Sequence, residues 1–159
     1  MAEALILIGI PGSGKTTLAR QLMQAPTYRY VSPDGIRQDL YGDMEEQGHW
    51  TKIWHQVEVQ FLESAGRQSV IYDATNYRSR YRREVTALAR HHRFHPITGL
   101  WLNLPLWLCL NRNQQRDRHV PEAIIIEMYR CLVLNPPHLG EGFDRLMVKE
   151  DPQDQAWLD

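Results

Sequence analysis

The chain has 159 residues, with 18 Lys and Arg against 19 Asp and Glu, so its formal net charge is only −1. That length suits one domain with a sizeable core. The balanced charge excludes a global field for nucleic acid, so any such partner must be held by a local patch.

The first predicted element is the strand ALILIGI, an apolar run too short to cross a bilayer and lacking a basic segment before it. It runs into GIPGSGKT, Gly9 to Thr16, which fits the pattern G-x-x-x-x-G-K-[ST], and a helix is expected from Lys15 to Gln24. A glycine-rich turn between a strand and a helix lets backbone N–H groups converge on phosphate oxygens, aided by the helix dipole. Gly12, Ser13, Gly14, Lys15, Thr16 and Thr17 are therefore the candidate triphosphate-binding residues. Lys15 would reach the β- and γ-phosphates, and Thr16 would offer a hydroxyl to Mg²⁺.

YRYVS reads as the second strand, and VSPDGIR sets Asp34 and Arg37 three apart at the start of a short helix. The pair fits a base and a cation that holds an acceptor, or equally a helix cap with a surface ion pair. A longer helix is expected over about His49 to Gly66. Trp50, Ile53, Trp54, Val57 and Phe61 form its apolar stripe, a core face from which Trp50 is the expected exception.

SVIYDATN reads as a strand that delivers Asp73 at its carboxyl end, where a Mg²⁺-side carboxylate belongs beside a phosphate loop. Asn76 is either a helix cap or a ligand contact. The next helix, about Ser79 to His91, opens with YRSRYRR. Four arginines there, Arg78, Arg80, Arg82 and Arg83, oppose the helix dipole, which suits either a solvated face or a nucleic-acid backbone. HHRFH follows at the helix end, without the ligand set of a metal site.

HPITGLWLNL is the fourth strand. Helices follow near Leu106–Arg116 and Pro121–Leu132, and DRLMVKE closes as a fifth strand. In NRNQQRDRHVP, Arg112 and Arg116 are four apart on one predicted helical face, with Arg118 just beyond, a pattern that suits a lid over a triphosphate. Cys109 and Cys131 fall in apolar helical contexts and read as buried free thiols of a reducing, cytoplasmic compartment. Alternating helices and continuous apolar strands argue for an α/β fold with a parallel sheet covered on both faces. In such sheets ligands gather at the carboxyl ends of the strands, which is where Asp34 and Asp73 fall.

These motifs together resemble the P-loop polynucleotide 5′-hydroxyl kinase family, over nearly the whole chain. GIPGSGKTT is similar to its phosphate loop, SPDGIR to its acceptor motif, YDATN to its strand end and RNQQRDRHVP to its lid. The resemblance implies one P-loop kinase domain over 1–159, with five parallel strands and a helical lid at about 106–135. It implies Asp34 as general base for a 5′-OH end of DNA or RNA and Arg37 as the cation on the neighbouring phosphate. Lys15 and Thr16 would engage ATP and Mg²⁺, Thr16 and Asp73 would flank the metal, and Arg112 and Arg116 would contact the donor phosphates. Kinases of small metabolites, nucleotide sugars and antibiotics share the loop and the acidic base, and an ATP-binding switch without acceptor chemistry would need the loop alone, so these remain alternatives.

Overall fold

β1 (Ala4–Ile8) is buried along its whole length, because both sheet faces are covered. Ala4, Ile6 and Ile8 enter one core cluster, while Leu5 and Leu7 enter another. This period-two alternation assigns the layers. Leu18 and Ala19 of α1 (Lys15–Leu22) cover the Leu5 and Leu7 side. The other side packs against Ile53, Val57 and Phe61 of α3 (Trp50–Ser64) and Val85 and Ala89 of α4 (Ser79–His91).

The computed structural model describes residues 1–25, 27–43 and 49–153. The remaining strands are β2 (Tyr28–Val31), β3 (Ser69–Asp73), β4 (Ile97–Leu102) and β5 (Arg145–Lys149). All neighbours are parallel in the order β2-β3-β1-β4-β5. Placing β1 at the centre between β3 and β4 sets the phosphate loop beside the end of β3, with Leu7 opposite Asp73. The expected five-stranded parallel sheet is thus observed.

Three details differ from the sequence reading. β5 is an edge strand whose side chains are mostly exposed, since only β4 pairs with it. α5 (Leu106–Gln114) ends before Arg116, and α6 (Glu122–Leu134) begins after Pro121. The buried Asn113 side chain stops α5, donating to Val120 O at 2.8 Å and accepting from Val120 N at 3.0 Å. Arg116 and Arg118 therefore sit in a turn, not on a continuation of the Arg112 helical face. Finally, a 3₁₀ turn at Leu139–Glu141, which carries no periodic signal, packs against α4. The short α2 (Pro33–Tyr41) follows β2 as expected.

Candidate functional site

The strand ends open onto a cleft of about 1840 Å³ that contains both the phosphate loop and the Asp34–Arg37 pair. That volume exceeds the roughly 300–1,000 Å³ of a single drug-sized site. Gly12 and Gly14 hold φ of +84° and +94°, and a Cβ on Gly12 would meet Cys109 O at 2.4 Å. No side chain caps the first turn of α1, whose N-cap is Gly14, and the Ser13 hydroxyl is buried with no partner among the described residues. Free helix N-terminal amides and an orphaned donor in a glycine cradle fit the phosphates of a nucleotide.

Lys15 lies nearly buried at the head of that helix, its ammonium donating to Ile10 O at 3.2 Å. Burial pushes its pKa down, Asp73 opposes that shift, and the Arg116 cation adds to it. Lys15 thus feels the charges of both Arg116 and Asp34 across the cleft. Thr16 Oγ1 donates to Asp73 Oδ2 at 3.1 Å. Thr17 also lines the cleft. From α5, Arg112 reaches the loop itself, its guanidinium donating to Gly12 O at 3.4 Å.

Sequence reasoning missed Tyr30, whose hydroxyl donates to the same Asp73 Oδ2 at 2.6 Å. Burial first, then the Asp73 charge and hydrogen bond, push the phenol pKa up, so it remains a donor. Only the register reveals this contact. Tyr30 lies opposite Ile71, and Asp73 is two residues further along the same face of β3.

At the start of α2 the helix cap is Ser32, not Asp34. Ser32 Oγ accepts from Gly35 N at 3.1 Å, and Pro33 fills the first helical position. The Asp34 carboxylate is thus released from capping. It accepts from Arg37 Nη1 at 2.9 Å, and Arg118 Nη1 stands 3.7 Å from its other oxygen. Half of the Asp34 side chain remains open to the cleft.

Several candidates separate from the site. Arg82 is neither solvated nor free for a polynucleotide. It is fully buried and forks onto Glu141 at 2.7 and 2.8 Å, with further bonds to Asn76 O and Asn135 O. Asn76 does not cap α4; it is buried at φ 49° in the wall of the cleft and donates to Leu7 O at 2.7 Å, tying the end of β3 to β1. Arg78, Arg80 and Arg83 are exposed at the start of α4, and of these Arg80 lines the edge of the cleft. Cys109 and Cys131 are both free thiols, but only Cys109 is buried. No group of His, Cys, Asp and Glu among the described residues could alone hold a metal, HHRFH included. Nor is any helix among them long and apolar enough to cross a membrane.

The chain is 25% identical over 135 residues to an L-seryl-tRNA(Sec) kinase of Methanococcus maripaludis, covering 79% of this chain and 50% of that protein. It therefore spans about half the length of the curated relative it matches. Among solved structures, it superposes on a chain of the Pnkp1/Rnl/Hen1 RNA repair complex with a TM-score of 0.76 at 24% identity, covering 90% of this chain and 46% of the other. A gluconokinase from Sinorhizobium meliloti 1021 superposes with a TM-score of 0.62 at 16% identity, over 98% and 86% of the two chains. With its phosphate loop and five-stranded parallel sheet in the order 2-3-1-4-5, the chain matches the AAA domain family over residues 5–132, most of its length, and belongs to that family.

Proposed function

We propose that this domain transfers the γ-phosphoryl group of ATP to the 5′-hydroxyl end of a DNA or RNA strand. The observation that carries this reading is Asp34: a carboxylate freed from capping, flanked by Arg37 and Arg118, in the same cleft as Lys15. A kinase needs little covalent chemistry from its protein, only positioning and compensation of charge. The acceptor oxygen forms a bond to the γ-phosphorus while the bond to the β,γ-bridging oxygen breaks and ADP leaves. Asp34 receives the hydroxyl proton, and Arg37 holds the phosphate that follows the terminal nucleoside. Gly12, Ser13, Gly14, Lys15, Thr16 and Thr17 hold the donor phosphates, with Arg112 and Arg116 closing on them from the lid side. Mg²⁺, for which Thr16 and Asp73 are the candidate ligands, would neutralise charge on the β- and γ-oxygens.

The test is transfer of label from γ-labelled ATP to a panel of 5′-OH oligonucleotides, nucleosides, sugars and aminoglycosides. Label on oligonucleotides supports the proposal. Label confined to a small molecule replaces it with a metabolite or antibiotic kinase. ATP hydrolysis without acceptor-dependent transfer replaces it with a switch protein.

A further inference from the structure

The apolar stripe of α3 stops behaving as core at its outer end. Ile53, Val57 and Phe61 are fully buried, but Trp50 keeps 44% of its surface exposed, Trp54 is half-buried, and both line the cleft. Their rings stack with centroids 6.2 Å apart and planes 29° from parallel. The Arg37 guanidinium lies 5.9 Å from the Trp50 ring centroid, within cation–π range, while donating to Asp34. Indole, guanidinium and candidate base thus form one continuous assembly. A second ring and a cation brace the indole, and its remaining open surface is apolar area beside the charged Asp34–Arg37 pair. A flat, weakly polar ligand group at a set distance from Asp34 would cover it.

Resting on the polynucleotide reading above, we propose that Trp50, supported by Trp54 and Arg37, is the platform on which the terminal nucleobase of the acceptor stacks. Arg37 then has two tasks, holding a phosphate and anchoring the ring beside it. Every base has a π face, so the platform selects for a base at the 5′ end without choosing among the four.

The experiment compares two 5′-OH oligonucleotides, one ordinary and one whose terminal nucleotide is abasic, with the wild type, Trp50→Ala and Trp50→Phe. For the wild type, KM should be about 5- to 150-fold higher on the abasic acceptor, the worth of one stacked base. Trp50→Ala should raise KM on the ordinary acceptor towards the abasic value and leave the abasic value unchanged. Trp50→Phe should recover most of the difference, and KM for ATP should stay the same throughout. Equal wild-type KM on both acceptors overturns the platform while leaving the kinase reading intact, and this comparison needs no variant. An equal rise on both acceptors in Trp50→Ala also overturns it, since that marks a structural role. Label on neither oligonucleotide but on a small hydroxyl compound overturns the polynucleotide reading and the platform with it.

Discussion

Arg82 and Glu141 form a two-pronged ion pair with both side chains fully buried, 59 positions apart in the sequence. The pair joins α4 to the 3₁₀ turn, and through Asn76 O it steadies the segment that follows Asp73. Removing one partner would leave a buried charge without compensation, at a cost of about 3–5 kcal/mol. Arg82→Ala should therefore lower Tm by on the order of 10 °C at this chain length. Arg82→Met with Glu141→Leu should lose less than Arg82→Ala, yet not be neutral, because Asn76 O and Asn135 O still lose a donor. Burial would push the Glu141 pKa up, but the Arg82 and Ser79 hydrogen bonds and the Arg82 charge outweigh it and hold the carboxyl below its usual range. A depressed folded pKa means that this stabilisation is complete above the ordinary glutamate value, about 4.3, and drains away as pH falls through the folded one. Thermal melts between pH 7 and pH 3 should show that acid loss, and it should be smaller in the double variant, where Asp144, also held below its usual range, still contributes. A wild type and double variant with the same acid dependence would remove Glu141 as its source.

Thr16 and Tyr30 both donate to Asp73 Oδ2. Tyr30→Phe deletes one of two donors to a carboxylate, worth about 1.5–3 kcal/mol for a charged acceptor, and loosens the orientation of Asp73. It should raise the Mg²⁺ concentration needed for half-maximal transfer and reduce the thermal stabilisation by ATP and Mg²⁺ together. If Lys15 serves the donor side, Lys15→Ala should abolish that stabilisation more completely and impair transfer to every acceptor alike. Normal turnover in Lys15→Ala would sink the donor-site assignment.

What the sequence made legible follows from how far each signal reaches. The phosphate loop is local: eight consecutive residues name its chemistry, and the strand and helix beside it supply the context. The sheet was legible because apolar runs covered on both faces need no alternation, although β5 shows that an edge strand can carry the same composition. Arg82 was not legible, for an arginine among arginines looks alike whether solvated or buried, and its partner sits in a turn without periodicity. Asn113 likewise looks like any polar residue near a helix end. Only its bonds to Val120 reveal that it stops α5 and moves Arg116 off the helical face. Tyr30 reads as strand composition until the β2–β3 register places it diagonal to Asp73.

The exposed arginines of α4 differ in how free they are. Arg80 pairs with Glu84 at 2.9 Å, and Arg83 donates to Ser79 Oγ and Gly140 O. Arg78 lies over the Tyr77 ring at 5.4 Å, beside a smaller cavity of about 390 Å³ that it lines together with Tyr81. If the acceptor strand runs over this face, Arg78→Ala with Arg80→Ala should raise the oligonucleotide KM and flatten its dependence on salt. Each lost contact to a single strand should change the log–log slope by about 0.7. An unchanged slope would mean a solvated face. Arg82 is excluded from this series because its loss reads as unfolding.

The last prediction separates the cap from the base. Ser32 caps α2, so Ser32→Ala should cost about 0.5–2 kcal/mol of stability, read as a lower Tm. Asp34→Asn keeps the size of the side chain and leaves that cap intact, but the amide cannot accept a proton. Its Tm should stay close to wild type, because the Asp34 carboxylate is half exposed and an ion pair with so open a partner is worth about 0.2–1 kcal/mol. ATP-dependent thermal stabilisation should also survive, while transfer falls by about 10²–10⁴, the usual worth of a positioned general base. Arg37→Ala should act differently, raising KM most for acceptors with a phosphate next to the terminal nucleoside and least for free nucleosides. Steady-state kinetics on a 5′-OH oligonucleotide and a nucleoside, alongside melts, distinguish these patterns. Near-normal transfer by a folded Asp34→Asn would leave Asp34 as one half of a surface ion pair, and the acceptor's proton would need another destination.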